Sequence, residues 1–356
     1  MDRETRDIYE ARAADWITKR APNQLDRARR FGDSTTGPTL DLGCGPGWYA
    51  PVLAPPVVAL DAARSMLDIT AENDPTALRV QGDLALVPLR RDSLGATWAS
   101  HSFLHIPRAQ LPLALARLHW ATRVDGRLLL RVGEGDQEGR RYLEGDDFPG
   151  RYFALWPQAM LEDIVAGAGF VISQSTVEDH PNRERTIEIE ATRARTLADI
   201  VGPDMRVLVC GLNPSLYAAD EGVGFARPGN RFWPAALAAG LASVDRDPWH
   251  ALRHHGVGFT DLVKRATVAA DELTKDEYRN GFARLERLVT WLQPGVVAFV
   301  GLAGWRAAVD RRATAGPQNR TIGGRPSYVL PSSSGLNTHA TVASLAEHLQ
   351  RAVALA

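Results

Sequence analysis

Two apolar runs with the character of buried strands each end in a glycine-containing turn, and this repeated arrangement constrains the fold most strongly. The first run is "TLDLGCGPG" (39–47) and the second is "MRVLVCGLN" (205–213). Around each, short apolar runs alternate with helical periodicity, which is typical of a parallel, doubly wound sheet. Because 356 residues exceed the size at which one core usually keeps growing, the sequence predicts two tandem α/β domains, residues 1–195 and 196–356.

Further strand and helix patterns support this division. Residues 170–193 are predicted to form an antiparallel edge hairpin joined by a polar, proline-containing turn. In the second half, Thr274 and Glu277 fit a capping box at the start of a long helix. The other predicted strands are "PVVALD" (56–61), "ATWASHSFLHI" (96–106), "GRLLLRVGEG" (126–135), "GVVAFVGL" (295–302) and "PSYVLPSSSG" (326–335).

Composition excludes several classes of protein. The two cysteines, Cys44 and Cys210, are too few for a disulfide framework and favour a reducing compartment. The charged first residues do not resemble a signal peptide, and no apolar run reaches the roughly 18 residues of a membrane span. Residues 197–356 hold 17 Lys and Arg against 14 Asp and Glu, which permits nucleic-acid binding. We therefore expect a cytoplasmic monomer with no membrane partner and no metal centre.

The first glycine turn has the features of a nucleoside site. Gly43, Gly45 and Gly47 lie where a strand turns into a helix, so the backbone can approach a ligand closely. Asp61 ends the next strand, where a carboxylate can accept both ribose hydroxyls, and Asp83 ends a third strand, within reach of an adenine amino group. A plain tight turn would explain the glycines alone. The ordered series favours a nucleoside cofactor, and the spacing differs from the G-x-G-x-x-G of NAD sites.

The first half resembles the class I S-adenosylmethionine-dependent methyltransferases over about residues 8–193. The segments that carry the resemblance are "LDLGCGPGWYA", "VVALDAARSML", "VQGDLALVPLRRDSLGATWASHSFLHI" and "VDGRLLL". It implies a Rossmann-like methyltransferase fold in which the glycines line the methionine portion of the cofactor, Asp61 holds the ribose and Asp83 the adenine. The implied cofactor-binding residues are Asp41, Gly43, Gly45, Gly47, Asp61 and Asp83.

The methyl acceptor is left open by the sequence. No "NPPY"-like motif of base methylation is present, and the fourth strand leads into "SHSFLHI". His101 and His105 in this segment are candidate catalytic bases, with packing or positioning as the alternative.

The second glycine turn places polar and aromatic residues at strand ends. Asn213 and Ser332–Ser334 follow two different strands, and the carboxyl ends of parallel strands can face one crevice. An asparagine there can hold a water through its amide oxygen, and Phe225 and Phe232 can stack on a planar ring. Each element also has an ordinary interpretation: a turn, a core aromatic or a surface loop.

Together these segments resemble the mismatch-specific uracil and thymine-DNA glycosylases of the uracil-DNA glycosylase superfamily. The segments are "VLVCGLNPSLYAADEGVGFARPGNRFWPAAL", "HGVGFTDLVKRATVAADELTKDEY", "LQPGVVAFVG" and "VLPSSSGLNTH", and the resemblance spans about residues 197–352. It implies a three-layer α/β/α fold and an enzyme that flips a damaged base out of double-stranded DNA containing uracil or mispairs and hydrolyses its glycosidic bond without a cofactor.

The resemblance also implies roles for individual residues. Asn213 is the catalytic residue that places the attacking water, Phe232 stacks on the flipped base, and Leu336 is the wedge that fills the vacated space. The implied base-binding residues are Gly211, Leu212, Ser215, Phe225 and Phe232. The implied DNA-binding residues are Ser332, Ser333, Ser334, Gly335 and Leu336.

Three features refine the expected activity. Ser215 stands where relatives usually have glycine, beside the C5 edge of the base, and predicts excision of uracil in G·U mispairs over thymine. No aspartate follows the apolar strand "VLVCGLN" as a general base, which predicts a slow enzyme. No lysine lies in the "GxNP", "PGNxFW" or "PSSSG" motifs to form a Schiff base with the abasic sugar, which predicts a monofunctional enzyme.

Three hypotheses about the whole chain follow. In the first, a DNA glycosylase is fused to a methyltransferase of unknown acceptor. In the second, the methyltransferase acts on a small molecule or RNA and the glycosylase fold is a nucleic-acid docking module. In the third, only the glycosylase is active, and the first domain senses S-adenosylmethionine or serves as a scaffold.

Overall fold

The computed structural model describes residues 1–142, 145–181 and 184–356. The chain divides into two compact units. One comprises Met1–Ala166 and Phe170–Ala194, and the other comprises Gly167–Gly169 and Arg195–Ala356.

A seven-stranded sheet forms the centre of the first unit. Its order is β3-β2-β1-β4-β5-β9-β8, and all strands run in the same direction except β9, which pairs antiparallel with both β5 and β8. These strands are β1 (Thr39–Leu42), β2 (Val57–Asp61), β3 (Leu78–Gln81), β4 (Leu94–Ser100), β5 (Thr122–Gly133), β8 (Phe170–Glu178) and β9 (Thr186–Arg193), and a separate antiparallel pair is β6 (Glu138–Arg140) and β7 (Tyr152–Ala154).

The helices of this unit are α1 (Arg3–Ala11), α2 (Ala13–Lys19), α3 (Leu25–Asp33), α4 (Arg64–Asn73), α5 (Leu111–Ala121) and α6 (Gln158–Gly167). Phe31 of α3 and Leu67 of α4 share a buried core with Trp98 and Leu129 of the sheet.

Two sequence predictions for the first unit can be compared with the structure. The edge hairpin is confirmed, since β8 and β9 pair antiparallel at one edge of the sheet; residues 182 and 183 of its turn lie outside the described residues. The predicted strand 96–106 is too long. β4 ends at Ser100, and Phe103–His105 forms a 3-10 turn.

A five-stranded sheet forms the centre of the second unit. Its order is β11-β10-β12-β14-β13, parallel except for β13 at the edge. The strands are β10 (Val207–Gly211), β11 (Val257–Asp261), β12 (Val296–Val300), β13 (Gly316–Ile322) and β14 (Arg325–Leu330). The sequence predicted β10, β12 and β14, whereas β11 and β13 were not anticipated.

Helices cover both faces of this sheet. They are α7 (Leu216–Glu221), α8 (Phe232–Ala238), α9 (Pro248–His255), α10 (Lys275–Leu292), α11 (Leu302–Ala308) and α12 (Val342–Val353). Ala298 of β12 belongs to a core with residues of α8 and α12. The next residue, Phe299, faces the other way and contacts Trp305 of α11, which contacts Phe282 of α10. This arrangement is the expected three-layer α/β/α fold, and the capping box of Thr274 and Glu277 begins α10 as predicted.

Both sheets have a point where the strand order reverses, between β1 and β4 in the first unit and between β10 and β12 in the second. Ligands of open α/β sheets bind outside the carboxyl ends of the strands at such points. Gly43 and Gly211 therefore lie where ligand sites are expected. None of the helices in the described ranges combines the length and apolar character that a bilayer span requires.

Candidate functional sites

The glycine turn after β1 is open at one position. Gly43, Gly45 and Gly47 all have positive φ angles. A Cβ atom on Gly43 would lie 2.4 Å from the Cβ of Ser102, whereas one on Gly45 would meet nothing within 4 Å. The backbone at Gly45 therefore borders free space in which a ligand can approach it closely.

Asp61 at the end of β2 is oriented by this turn. Its Oδ2 accepts a hydrogen bond from the backbone N–H of Gly45 at 2.9 Å, and its Oδ1 accepts one from Ala63 at 2.9 Å. Burial raises the pKa of Asp61. Because an ionised carboxylate has about four lone-pair sites, both oxygens can accept further hydrogen bonds from a pair of hydroxyl groups.

Two buried polar atoms beside the turn have no partner. Asp41 is 2% exposed, and its Oδ2, like the Oγ of Ser102, finds no hydrogen-bond partner among the described residues. Burial, and then the charge of Asp61, raise the pKa of Asp41 to about 8. A buried polar group without a partner costs about 1–3 kcal/mol. The arrangement is therefore suited to a ligand that brings hydrogen-bonding groups to the turn.

Asp83 borders a cleft of about 350 Å³. The cleft is lined by residues 1–3 and Arg6 on one side and by Ala62 and residues 81–83 on the other. The Oδ1 atom of Asp83 accepts hydrogen bonds from the Met1 ammonium at 2.6 Å and from the backbone N–H of Ala85 at 2.8 Å. The second oxygen of Asp83 has no such bond among the described residues.

The two candidate histidines differ in their surroundings. His105 is buried, with Nε2 2.9 Å from the Tyr9 hydroxyl and Nδ1 2.7 Å from the Tyr152 carbonyl. Burial lowers the pKa of His105 to about 3. Both ring nitrogens are engaged, so His105 has a packing role. His101 is exposed and follows β4 with a φ of 59°. A non-glycine residue in this conformation is found preferentially at functional sites.

In the second unit, β10 and β11 bring two segments together beyond their carboxyl ends. Gly211 pairs with Asp261 in the parallel register. Past this pair, Leu262 and Val263 donate backbone hydrogen bonds to the carbonyls of Gly211 and Leu212 at 3.0 and 2.9 Å. The two chains therefore run side by side past the end of the sheet.

Asn213 is held by this neighbouring chain. Its Nδ2 donates to the Oγ1 of Thr267 at 2.8 Å, to the carbonyl of Arg265 at 3.0 Å and to the carbonyl of Pro214 at 3.2 Å. The amide oxygen accepts no hydrogen bond from the described residues. The amide is thus fixed through its nitrogen, and its oxygen is available to hold a water molecule.

No aspartate follows the strand "VLVCGLN" itself, but Asp261 at the end of the neighbouring strand β11 lies close to Gly211. A Cβ atom on Gly211 would lie 2.3 Å from the Oδ1 of Asp261, which shows how closely this carboxylate approaches the backbone of the glycine turn. Burial raises the pKa of Asp261 to about 6, although Lys264 lowers it. The carboxylate accepts no hydrogen bond from the described residues. The apolar and β-branched residues of "VGFTD" could have indicated strand β11 and so the position of Asp261. The pattern is weak because the strand is short and contains a glycine.

The aromatic ring of Phe225 also lies close to Gly211. Its Cζ lies 3.5 Å from the position of a Cβ on Gly211, and its φ is 59°. Phe232 lies against Phe225 with a centroid distance of 4.3 Å and an angle of 25° between the rings, and it is 2% exposed. Phe232, which was expected to stack on a base, is thus buried in the core against the half-buried ring of Phe225.

Ser215 begins helix α7. Its Oγ accepts a hydrogen bond from the backbone N–H of Ala218 at 3.2 Å, which makes it the N-cap residue. The hydroxyl is thus engaged by the helix, and Cβ is the part of the side chain left to contact a ligand.

The serine loop after β14 is attached to the segment that contains Phe232. Arg231 donates from its backbone N–H to the carbonyl of Ser333 at 2.9 Å and from its side chain to the carbonyls of Ser334 at 3.2 Å and Asn337 at 2.9 Å. Among the serines expected to contact DNA, Ser333 is buried, Ser332 is exposed and Ser334 is half-buried. Leu336, at the tip, is 90% exposed, and Gly335 approaches the carbonyl of Gly229 closely.

Two family models match this chain, one within each of the two compact units. Residues 198–354 match the uracil DNA glycosylase superfamily, and residues 40–130 match a methyltransferase domain. The chain carries a methyltransferase domain followed by a uracil DNA glycosylase superfamily domain.

Solved structures to which part of this chain is similar include the following three. A putative S-adenosylmethionine-dependent methyltransferase from Listeria monocytogenes is 16% identical, with a TM-score of 0.39 over 48% of this chain and 97% of that chain. The DhpI-SAH complex is 20% identical, with a TM-score of 0.43 over 54% and 96%. The 1,6-didemethyltoxoflavin-N1-methyltransferase of Burkholderia thailandensis is 17% identical, with a TM-score of 0.43 over 53% and 87%.

The close approach at Gly211 in the glycosylase-superfamily domain gives a testable prediction. Gly211→Ala should destabilise this domain by about 1–3 kcal/mol, because the added Cβ overlaps the Asp261 carboxylate. Gly224→Ala is the matched control, since a Cβ there would meet only Leu197 at an ordinary 3.7 Å. Calorimetry of the full chain measures both, and equal stability of the two variants would contradict the packing described here.

Proposed function

We propose that the second domain hydrolyses the N-glycosidic bond of uracil in double-stranded DNA, with G·U mispairs as its main substrate. One observation supports this most strongly. The unpaired carboxylate of Asp261 and the ring of Phe225 both meet the backbone at Gly211, and the free amide oxygen of Asn213 is two residues further along the chain. An aromatic surface, an oxygen that holds water and a carboxylate base are the groups that cleavage of a flipped nucleotide requires.

Each group has a distinct part in the proposed reaction. The flipped uracil stacks on Phe225, which Phe232 supports from below. The amide oxygen of Asn213 orients a water towards the sugar, and Asp261 accepts its proton. The charge of Asp261 also favours the oxocarbenium-like transition state that forms as uracil departs. With this base present, the enzyme is expected to be faster than Asn213 alone would allow.

The exposed loop tips supply the contacts to DNA in this proposal. Leu336 is an apolar side chain in solvent at the end of the serine loop, which suits a wedge that replaces an extruded base in the stack. Ser332 and Ser334 lie on the same loop and can donate to phosphate oxygens. The half-buried Arg231 holds this loop beside the segment that begins with Phe232 through hydrogen bonds to the carbonyls of Ser334 and Asn337.

For the first domain we propose S-adenosylmethionine-dependent methyl transfer. The open backbone at Gly45, the two available oxygens of Asp61 and the unpaired Oδ2 of Asp41 fit a nucleoside with an attached amino acid. Asp61 would hold the ribose hydroxyls, and the cleft at Asp83 would receive the adenine. The bound cofactor would supply an electrophilic methyl group. The exposed ring of His101 at the end of β4 is the residue placed to take a proton from the acceptor.

The assignment of glycosylase activity is tested by uracil excision. Wild-type protein should release uracil from a G·U duplex, seen as strand cleavage after alkaline treatment. Asn213→Ala should lower the single-turnover rate by about 10²–10³-fold, because it removes a contact made to the attacking water. Asp261→Asn should lower it by about 10²–10⁴-fold, as expected for loss of a general base.

The pH dependence distinguishes the two residues. Because burial raises the pKa of Asp261 to about 6, the wild-type rate should rise with pH through this value as the base ionises, and Asp261→Asn should abolish that rise. Both variants should still shift uracil-containing DNA in a gel. Absence of uracil release by wild-type protein would favour the docking-module hypothesis instead.

Substrate choice depends on Ser215. Its Cβ is expected to crowd the C5 methyl group of thymine, so wild-type protein should excise uracil from G·U and little thymine from G·T. Ser215→Gly should raise the G·T rate by about tenfold or more, in the range that one methyl group can contribute. Glycine is also tolerated at an N-cap with little loss of helix stability.

Ser215→Ala is the matched variant for this test. It keeps Cβ but loses the hydrogen bond that caps α7, so its G·T rate should stay low. Single-turnover rates on G·U and G·T duplexes, measured for wild-type protein and both variants, test whether Ser215 selects the base. Similar wild-type rates on G·U and G·T would show that Ser215 does not select the base.

Cofactor binding by the first domain is tested by calorimetry. Wild-type protein should bind S-adenosylmethionine, and Asp61→Ala should weaken binding by about 1.5–3 kcal/mol through loss of charge-assisted hydrogen bonds. Asp68→Ala is a suitable control because Asp68 is an exposed acid of α4 paired only on the surface with Arg64. Undetectable binding by wild-type protein would remove the methyltransferase proposal.

A further inference from the structure

Asp199, Lys264 and Arg284 form a group of charged side chains near the carboxyl end of β11, the strand that ends at Asp261. Asp199 is buried, and its Oδ1 accepts hydrogen bonds from the Lys264 ammonium at 2.8 Å and the Thr260 hydroxyl at 2.7 Å. Its Oδ2 accepts from the Arg284 guanidinium at 2.7 Å. Although burial favours the neutral acid, Arg284 and Lys264 hold the pKa of Asp199 below its ordinary value.

This group is connected to Asp261 through the backbone. Arg284 donates to the carbonyl of Asp261 at 2.9 Å and to the hydroxyl of Thr260, the preceding residue, at 3.1 Å. Asp199 thus faces two cations, and these three side chains together carry one more positive charge than negative. An ionised Asp261 would balance that charge.

We propose that Lys264, fixed by Asp199, is a positioning residue that keeps the half-buried side chain of Asp261 ionised. Lys264 lies three residues beyond Asp261, and its side chain is 15% exposed. Its ammonium is hydrogen-bonded to Asp199, so it acts through its charge and does not touch the base. This inference rests on the proposed function, in which Asp261 must be a carboxylate to accept a proton.

The charged and titratable groups around Asp261 come from several elements. They are Lys264 beyond the strand end, Asp199 in the segment before β10, Arg284 of α10 and the Cys210 thiol of β10. Burial raises the pKa of Asp261 to about 6, while Lys264 and Arg284 lower it and Asp199 raises it. Arg284 is tied to the backbone, so Lys264 is the cation that can be neutralised with the least disturbance.

The test measures the titration of Asp261 directly in the full chain. Carbon-13 labelled aspartate gives a carboxyl signal for Asp261, assigned by its absence in Asp261→Asn. Lys264→Met should move the midpoint upward from about 6 by roughly one pH unit, because a positive charge that lowers this pKa is lost. Lys264→Arg should return it close to the wild-type value.

Controls separate this effect from unfolding and from general charge loss. Lys264→Gln is a second neutral variant that can still donate to Asp199, and it should give the same upward shift as Lys264→Met. Lys275→Met removes an exposed lysine of α10 and should leave the midpoint unchanged. A folded Lys264→Gln protein with a wild-type midpoint would overturn the inference.

Excision rates then separate this inference from the proposed function. At pH 6 the single-turnover rate of Lys264→Met should fall several-fold, and at pH 9 it should stay within about twofold of wild type, since the base is again ionised. If Lys264→Met shifts the Asp261 titration while Asp261→Asn excises uracil at the wild-type rate, the role of Lys264 stands and that of Asp261 in catalysis fails.

Discussion

The pairing of β10 with β11 is the constraint on which the second domain's candidate site depends. Its register places Asp261 opposite Gly211, and only a residue without Cβ leaves room for the carboxylate there. The same pairing continues through Leu262 and Val263, so the chain after β11 is in position to anchor the amide of Asn213. This register thus brings the carboxylate of Asp261 and the amide of Asn213 to one end of the sheet, where the ring of Phe225 also lies close to Gly211.

Both domains place acidic side chains at the carboxyl ends of parallel strands. The groups that surround these carboxylates differ between the two domains. Asp61 is held by backbone N–H groups of the glycine turn, and Asp41 keeps an oxygen unpaired. Asp261 is instead balanced by cations behind the strand end, at Lys264 and Arg284. Backbone donors leave lone pairs for a neutral ligand with hydroxyl groups, whereas a nearby cation stabilises the charge that a base needs.

Sequence patterns predict this structure correctly where a feature depends on a single strand and the turn that follows it. The glycine turn at Gly43, the position of Asn213, the edge hairpin and the capping box of α10 were all anticipated, because each depends on residues close together in the chain. The strand β11 was missed, since five residues with a glycine give too weak a pattern. The position of Asp261 at the end of this strand was missed with it.

The sequence by itself determined that this chain forms two α/β domains, and which turns follow the central strands, because alternation of apolar runs and helical periodicity is a local property. Only the tertiary structure decided which side chains meet at those turns. It showed that Phe225 and not Phe232 is accessible, that Ser333 is buried, and that Asp261 lies against Gly211. These facts depend on strand register and on packing between residues up to a hundred positions apart, and no local pattern encodes contacts over such distances.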